Sequence, residues 1–401
     1  MKMKSIVLLR YIASLLLILF SSNSYADVTL RTFKIPSKFE NWEIEVFGFF
    51  PDMTSTVKGI IFVIPGTSGF VEPKILRRNT ENILNVEQPS ELASAFLEAG
   101  YIYLTTNYRG MKSGYQCLRE KQVKPIEFID ECIDIEVRKT IDFEKIESDI
   151  ELALERIQTS DELKSYPLIV AAISEGGVHI SRLVQQKKID PKGIIGIGVP
   201  TTSMLDNIKD QLSLNVQLRI VLNSLKKNKV KEFCPADIKK TLPYIRNEID
   251  QILRNNLFQV CRRKSEISMY MRKAYDLANE QLRVMVSNPT PFGGNVFDVA
   301  VDEFVGFKWL LDALNDQDDL ASKLAHYEGG LILIYGEYDS TIAISPDRVC
   351  KSKKQVKQQC IVKVMKGVDH TLQNQSSRIA KDVLVELVKY ANSIVDVNAK
   401  K

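Results

Sequence analysis

The stretch Leu168-Ile-Val-Ala-Ala-Ile-Ser174-Glu-Gly-Gly177 decides the fold. Its first part, Leu168–Ile173, is continuously apolar, which is typical of a strand buried on both faces of a parallel sheet. Ser174 follows within the pattern Ala172-x-Ser174-x-Gly176, and a helical pattern begins directly afterwards. Small residues two before and two after a serine allow strand and helix to approach closely, as in a nucleophile elbow. Ser174 is therefore the candidate nucleophile, and a turn that only packs is the alternative.

Short apolar runs rich in valine and isoleucine alternate with helical patterns along most of the chain. Such alternation predicts an α/β fold with a mostly parallel sheet that helices cover on both faces. The predicted strands are Val28–Ile35, Trp42–Phe50, Gly59–Ile64, Tyr101–Thr106, Leu168–Ile173, Ile194–Val199, Gly330–Tyr335 and Ile361–Met365. The predicted helices between and after them are Pro89–Ala99, Phe143–Gln158, Gly177–Gln185 and Gln375–Val395.

A long helical stretch, residues 204–327, separates two of these strands. Because the chain must leave the sheet and return to it, this stretch predicts a helical cap inserted into a core of residues 27–203 and 328–401. Its predicted helices are Met204–Lys226, Ile238–Leu257, Lys264–Val284 and Asp302–Asn315.

Histidine is scarce, and this narrows the choice of a general base for the serine. The chain has only His179, His326 and His370. His370 follows the last predicted strand, at the carboxyl edge where catalytic groups of open α/β sheets collect, so we expect it to be the base. His179 lies on the elbow helix and is interpreted as structural, and His326 as structural or surface-exposed.

An acid should orient the base, and backbone amides should stabilise an oxyanion. Asp339 follows the penultimate strand and is the preferred acid, with Glu337 and Asp369 as competitors. The expected oxyanion donors are the amides of Glu175, just after the nucleophile, and of Thr67, in the glycine-containing loop after Gly59–Ile64.

These motifs together resemble the α/β-hydrolase fold serine hydrolases over about Val28–Val395. Ser174, Asp339 and His370 match the triad positions in the family's chain order. The resemblance implies a central sheet of about eight strands with a cap after the sixth.

Two further segments carry the resemblance, with departures. Ile64-Pro-Gly-Thr67 stands where the family often has His-Gly, and Asn107-Tyr-Arg-Gly110 resembles its Asp-x-Arg-Gly. The departures are Pro65 for histidine, Asn107 for aspartate and Ala172 for the first elbow glycine. They leave open whether the esterase and lipase branch or the prolyl-oligopeptidase-like branch is the better match.

Composition and the first residues limit the class and the location. Of the 401 residues, 45% are hydrophobic and 26% charged, which excludes a disordered or collagen-like chain. The formal net charge of +4 is not that of a nucleic-acid-binding protein.

Residues 1–26 have a basic start, an apolar run Tyr11–Phe20 and the small residues Ser24 and Ala26, which predicts a cleaved signal peptide. The apolar run is about half of the roughly 20 residues that a spanning helix needs, so we expect a periplasmic or secreted protein without stable membrane insertion.

Six cysteines in an exported chain predict disulfides. The simplest pairing joins sequence neighbours, namely Cys117–Cys132, Cys234–Cys261 and Cys350–Cys360. No cysteine and histidine cluster has the spacing of a zinc site, so we expect no metal and no cofactor.

The function that these features favour is exported serine hydrolysis of carboxylic esters through an acyl-enzyme, on a small-molecule or peptide substrate. A triad and an oxyanion hole suffice for ester cleavage. A serine peptidase or aminopeptidase of the same fold is the alternative enzyme. A non-catalytic binding module on a hydrolase scaffold is the alternative of another class.

Overall fold

The computed structural model describes residues 28–39, 41–51, 56–66, 74–78, 81–85, 89–110, 134–227, 231–234, 259–287, 307–339, 341–342, 349–350, 360–374 and 378–399. Several sequence-based predictions lie outside these residues: the signal peptide, the oxyanion donor Thr67, the pair Cys117 and Cys132, and the helix Ile238–Leu257.

A central sheet of eight strands runs through the described residues, and two short strand pairs lie outside it. The strands in chain order are β1 (Thr29–Pro36), β2 (Glu43–Phe50), β3 (Gly59–Ile64), β4 (Lys74–Arg78), β5 (Glu81–Asn85), β6 (Tyr101–Thr106), β7 (Leu168–Ile173), β8 (Gly193–Ile197), β9 (Glu232–Phe233), β10 (Arg262–Arg263), β11 (Gly330–Gly336) and β12 (Cys360–Met365).

The order of strands across the sheet is β1-β2-β6-β3-β7-β8-β11-β12. β1, β2 and β6 pair antiparallel, and every pair from β6 to β12 is parallel. The mostly parallel sheet predicted from the sequence is thereby confirmed. Residue Ile64 of β3 lies opposite Ala172 of β7, and Ile173 lies opposite Ile197 of β8, so these three strands end at one edge.

Helices cover both faces of the sheet and form two apolar layers. The helices in chain order are α1 (Glu91–Glu98), α2 (Ile135–Lys139), α3 (Phe143–Thr159), α4 (Gly176–Gln185), α5 (Met204–Leu212), α6 (Asn215–Lys227), α7 (Lys264–Ser287), α8 (Phe307–Asn315), α9 (Leu320–Lys323) and α10 (Lys381–Ala399). The apolar sides of α3 and α4 pack on one face, and those of α1 and α10 on the other.

Helix α3 shows how the sequence positions one of these layers. Asp142 caps it by accepting a hydrogen bond from the Lys145 amide, which satisfies one free donor of the first turn. Its apolar residues recur at helical spacing and are buried, including Ile146, Ile150 and Leu154. Glu147 and Asp149 of the same helix are also buried, and each carboxylate forms an ion pair with an arginine.

β8 is the sixth strand of the sheet along the chain, and the described residues between β8 and β11 are mainly helical. We refer to the segment between these two strands as the insertion. The prediction of one helix over Met204–Lys226 was wrong, because the helix breaks between α5 and α6. Leu214 has a φ of +55°, a left-handed conformation that cannot continue a right-handed helix. The hairpin of β4 and β5 was not predicted.

Two disulfides join cysteines of the described residues. Cys234 pairs with Cys261, and Cys350 with Cys360, as the pairing of sequence neighbours predicts. The first closes the insertion around β9 and β10, and the second joins the start of β12 to the segment before it. No helix in the described ranges is long and apolar enough to cross a membrane.

Removing the disulfide of the insertion should destabilise the insertion more than the sheet. Cys234 and Cys261 are 27 residues apart in sequence, and closing a loop of that size contributes about 3–4 kcal/mol by chain entropy. We expect the double variant Cys234→Ser/Cys261→Ser to show faster amide hydrogen exchange in α7 than the parent protein. Exchange in β7 should stay slower than in α7 in both proteins, because β7 lies in the core of the sheet. Equal exchange in α7 of both proteins would contradict this role of the disulfide.

Candidate active site

Ser174 lies in a sharp turn between β7 and α4. Its φ is +51°, in the left-handed region that residues other than glycine rarely adopt. Two backbone hydrogen bonds hold the turn: the Ser174 amide donates to Ile197 O over 2.8 Å, and the Gly177 amide donates to Ser174 O over 3.0 Å. This strained strand-to-helix turn is the geometry of a nucleophile elbow.

The small residues around the serine are required by close approaches. A Cβ placed on Gly176 would lie 2.5 Å from Pro65 O, so a side chain there would push α4 away from the end of β3. Ala172 is fully buried and pairs with Ile64 on one side and Gly196 on the other. The sheet thus accommodates the methyl group of Ala172 at the position where the family's elbow has its first glycine.

Asp339 and His370 meet at the same edge of the sheet, after β11 and β12. Asp339 Oδ2 lies 2.9 Å from His370 Nδ1. The other carboxylate oxygen, Oδ1, accepts hydrogen bonds from the amides of Thr341 and Ile342, at 2.9 and 3.0 Å. The Asp339 side chain is fully buried and that of His370 is 17% exposed, so the carboxylate is fixed while the imidazole reaches the surface.

The position of His370 relative to the elbow follows from Gly198. Gly198 comes directly after β8, whose last residue, Ile197, accepts the Ser174 amide. Gly198 has a φ of +57°, and a Cβ on it would lie 2.8 Å from both Cε1 and Nδ1 of His370. The imidazole therefore packs on the backbone of the strand next to the nucleophile.

The two competing acids have other partners. Asp369 Oδ1 accepts hydrogen bonds from the amides of Thr371 and Gln373 and from the Thr371 hydroxyl, all within 3.0 Å. Glu337 Oε2 accepts from the Gly367 amide at 3.2 Å. Both carboxylates therefore order loops, and the structure pairs the His370 ring with Asp339.

Of the two expected oxyanion donors, Glu175 lies among the described residues. Glu175 is buried and precedes α4, at a helix N-terminus that favours negative charge. Thr67 is outside the described residues, but the loop that leads to it is visible. A Cβ on Gly66 would lie 3.0 Å from Ser174 Cβ, and Tyr108 Oη donates to Pro65 O over 2.8 Å. Pro65 and Gly66, the two residues that directly follow β3, thus lie beside the candidate nucleophile.

The remaining sequence candidates have structural positions. Arg109, from the segment resembling Asp-x-Arg-Gly, is buried and forms a bidentate pair with Asp149, at 3.1 and 3.0 Å. His326 is exposed. His179 is fully buried beneath the elbow and lies between two glutamates, Glu147 and Glu175.

Sequence reasoning missed the environment of the Glu175 side chain. This carboxylate accepts hydrogen bonds from His179 Nε2 at 2.9 Å and from Trp309 Nε1 at 2.6 Å. The contact with His179 could have been predicted, because residues four apart on one helix lie on the same face. Trp309 lies 134 residues away in sequence, and no local pattern points to it.

The arrangement combines the groups that acyl transfer requires. It has a serine on an elbow, an imidazole oriented by a buried carboxylate, and backbone amides at a helix N-terminus. All of them lie at the carboxyl edge of parallel strands, where open α/β sheets bind ligands.

Comparison with known proteins identifies the fold. No protein-family model and no curated protein matches the sequence. One similar solved structure is a lipase in its open form, with 15% identity, a TM-score of 0.50, and coverage of 92% of this chain and 99% of the lipase. Another is a highly thermostable carboxyl esterase from Bacillus coagulans in complex with glycerol, with 12% identity, a TM-score of 0.50, and coverage of 92% of this chain and 100% of the esterase. Both are α/β-hydrolase fold enzymes, and at these identities the similarity concerns the fold alone. The chain therefore has the α/β-hydrolase fold.

Proposed function

We propose that this protein is a serine hydrolase that cleaves carboxylic esters through an acyl-enzyme, with Ser174, Asp339 and His370 as its catalytic triad. The observation that carries the proposal is the 2.9 Å contact between Asp339 Oδ2 and His370 Nδ1, at the sheet edge where Ser174 occupies its strained turn. A serine, an imidazole and a buried carboxylate perform nucleophilic catalysis together on several unrelated folds. The fold shared with a lipase and a carboxyl esterase is compatible with this chemistry.

In the acylation half, the Ser174 hydroxyl oxygen attacks the ester carbonyl carbon. His370 takes the hydroxyl proton at Nε2, and its Nδ1–H donates to Asp339, which stabilises the imidazolium. The carbonyl oxygen becomes an oxyanion, and the amides of Glu175 and Thr67 donate to it. As the tetrahedral intermediate collapses, the ester bond breaks and His370 gives its proton to the departing alcohol.

In the deacylation half, water replaces the alcohol. His370 takes a proton from the water, whose oxygen attacks the acyl carbon. The second tetrahedral intermediate releases the carboxylic acid, and Ser174 recovers its proton from His370.

We also propose that the protein acts outside the cytoplasm, with residues 204–327 as a cap over the substrate. The basic and apolar pattern of residues 1–26 supports export, and the two disulfides fit an oxidising compartment. A hydrogen bond from Gln211 Nε2 of α5 to Thr341 O, at 2.8 Å, supports contact between the insertion and the loop that holds Asp339.

A fluorophosphonate probe should label Ser174, because the probe reacts with a serine activated by a neighbouring base. We expect mass spectrometry of the purified protein to find one adduct, on the peptide that contains Ser174. The Ser174→Ala variant should not label. Labelling at a different serine would contradict the assignment of the nucleophile, and no labelling of a folded protein would favour a binding module.

Substrate class can be measured on the same preparation. We expect turnover of p-nitrophenyl esters and little or no turnover of aminoacyl and peptidyl p-nitroanilides, because a triad and an oxyanion hole suffice for an ester, whereas a peptidase also needs a charged group that binds a peptide terminus. Faster turnover of the anilides would replace the ester assignment by the peptidase alternative.

The acid of the triad can be tested with two matched variants. Asp339→Asn should lower kcat on an activated ester by about 10⁴-fold. The amide oxygen should keep the two backbone amides that Oδ1 accepts now, so that the NH2 group faces His370 Nδ1 and imposes the wrong tautomer. Asp369→Asn should lower kcat by no more than about tenfold, because its carboxylate only orders the adjacent loop.

These variants make the same chemical change at two loops near His370, so they serve as controls for each other. Circular dichroism should show both folded. An inactive Asp369→Asn together with an active Asp339→Asn would contradict the assignment of the acid, while Ser174 and His370 could still serve as nucleophile and base.

A further inference from the structure

A buried cluster of charged side chains lies directly beneath the elbow, and the proposed triad does not use it. At its centre is His179, which is fully buried. His179 Nε2 lies 2.9 Å from Glu175 Oε1, and its Nδ1 lies 3.5 Å from Glu147 Oε1. Both ring nitrogens therefore face a carboxylate, which is the environment of a protonated imidazolium.

The electrostatics agree with a protonated ring. Burial alone would lower the pKa of His179, but the hydrogen bonds and charges of Glu147 and Glu175 outweigh it and raise the pKa from 6.5 to about 9. At neutral pH the elbow thus has a buried cation beneath it.

The carboxylate of Glu175 is held from several sides. In addition to His179, Trp309 Nε1 of α8 donates to Glu175 Oε1 over 2.6 Å. The ring of Phe143 packs edge-on against both donors, at 4.8 Å from His179 and 6.1 Å from Trp309 between ring centroids. Arg138 is also close, and the Glu175 charge partly offsets the burial that lowers the Arg138 pKa to about 10.

The same residue, Glu175, is proposed to donate its amide to the oxyanion. A buried negative charge on that residue opposes the negative charge that develops on the substrate oxygen, unless a cation compensates it. His179 is the cation in hydrogen-bond contact with the carboxylate. The imidazolium of His179 thus lowers the repulsion between the Glu175 carboxylate and the oxyanion, which a neutral side chain of the same size would not do.

His179 also contacts a tyrosine that holds the end of β3. The Tyr108 ring packs edge-on against the imidazole, with ring centroids 5.9 Å apart. Tyr108 Oη donates to Pro65 O in the loop that leads to Thr67. One buried residue therefore contacts both Glu175 and the tyrosine that binds the carbonyl of Pro65.

We propose that His179 is a positioning residue for ester hydrolysis, whose imidazolium fixes and neutralises the Glu175 carboxylate so that the Glu175 amide stabilises the oxyanion. This inference rests on the proposed function. It assigns to His179 a role beyond the structural one that the sequence suggested, since the ring acts on the reaction through Glu175.

Further charges continue from Glu147 away from the elbow. Arg182 forms an ion pair with Glu147 and another with Asp316, which in turn pairs with Lys323. Each charge in this series has a partner of opposite sign, so His179 is held from the side of Glu147 as well.

Two variants test the proposal: one removes the cation of the pair, and the other removes both the cation and the anion. We expect His179→Gln to lower kcat on p-nitrophenyl butyrate by about 10- to 100-fold, the effect of one uncompensated charge a few ångströms from the oxyanion. KM should change less than about threefold, since the substrate ground state carries no such charge. The double variant Glu175→Gln/His179→Gln should recover most of the lost kcat, because it removes the uncompensated anion.

Asp149→Asn is the matched control. Asp149 lies on α3, two positions from Glu147, and is paired with the buried Arg109 rather than with His179. This variant should lower the melting temperature, as loss of a buried ion pair does, and leave kcat per active site unchanged. Fluorophosphonate titration of active sites corrects every kcat for unfolded protein.

The pH dependence of kcat provides a further test, whose first part needs only the parent protein. The groups facing His179 are Glu147, Glu175 and Tyr108, with Arg182 and Arg138 beyond the carboxylates. Because the protonated ring is the competent form, kcat should fall as pH rises through about 9. The double variant should lack this alkaline decrease.

The outcomes separate this proposal from the proposed function. A parent protein that neither labels at Ser174 nor turns over esters overturns the function. A parent protein that does both, with unchanged kcat in His179→Gln, overturns the positioning role. A double variant as slow as the single one shows that the charge is not the cause. The absence of an alkaline decrease in the parent protein also counts against a protonated His179.

Discussion

The left-handed backbone of Ser174 is the constraint on which the rest of the site depends. A residue with a side chain costs roughly 1–2 kcal/mol in this conformation, so its surroundings must hold it there. The hydrogen bond from the Ser174 amide to Ile197 O fixes the turn against β8. The absence of a side chain on Gly176 allows α4 to begin against the carbonyl of Pro65. These contacts aim the serine toward the edge where the other loops converge.

The parallel sheet determines which residues can join the serine. β7, β8, β11 and β12 are neighbours, and the loops after β7, β11 and β12 carry Ser174, Asp339 and His370. Gly198 follows β8 and has no side chain, so the His370 imidazole packs directly on its backbone. The acid and the base are 31 residues apart in sequence, and strand adjacency brings them within 2.9 Å. The proposed catalytic group is therefore a consequence of strand order more than of any local motif.

Much of this organisation could be predicted from sequence. Runs such as Gly59–Ile64 and Leu168–Ile173 are continuously apolar and bounded by turn residues, which identifies buried strands whatever their partners are. The loops after successive parallel strands then meet at one edge by geometry, so Asp339 and His370 could be expected to lie together.

Other features depended on contacts that only the fold creates. The break at Leu214 leaves no mark in the apolar periodicity, because leucine is an ordinary helix residue. The partners of Glu175 come from α4 and, in the case of Trp309, from a helix of the insertion. A side chain that fills a cavity between elements distant in sequence has no local signature, so His179 could be identified as buried or structural but not connected to the oxyanion site.

The buried charges beneath the elbow also connect the insertion to the proposed active site. Trp309 of α8 and the Glu147 side chain of α3 meet around Glu175 and His179, so the insertion packs against the support of the proposed oxyanion hole. Such charges are tolerated in an interior when they are paired, as Glu175 and His179 are by their hydrogen bond and Glu147 is by its ion pair with Arg182. The apolar layer formed by α3 and α4 therefore contains a buried cluster of paired charges beneath the nucleophile.

The measurement that tests the central claim most directly is a crystal structure of the protein after reaction with a small alkyl fluorophosphonate, a tetrahedral mimic of the intermediate. We predict a covalent bond from Ser174 Oγ to phosphorus. The phosphonyl oxygen should lie about 2.7–3.1 Å from the Glu175 amide, with the Thr67 amide as the second donor, and His370 Nε2 should face the oxygen of Ser174. Phosphorus on another residue, or a phosphonyl oxygen directed away from the Glu175 amide, would contradict the account.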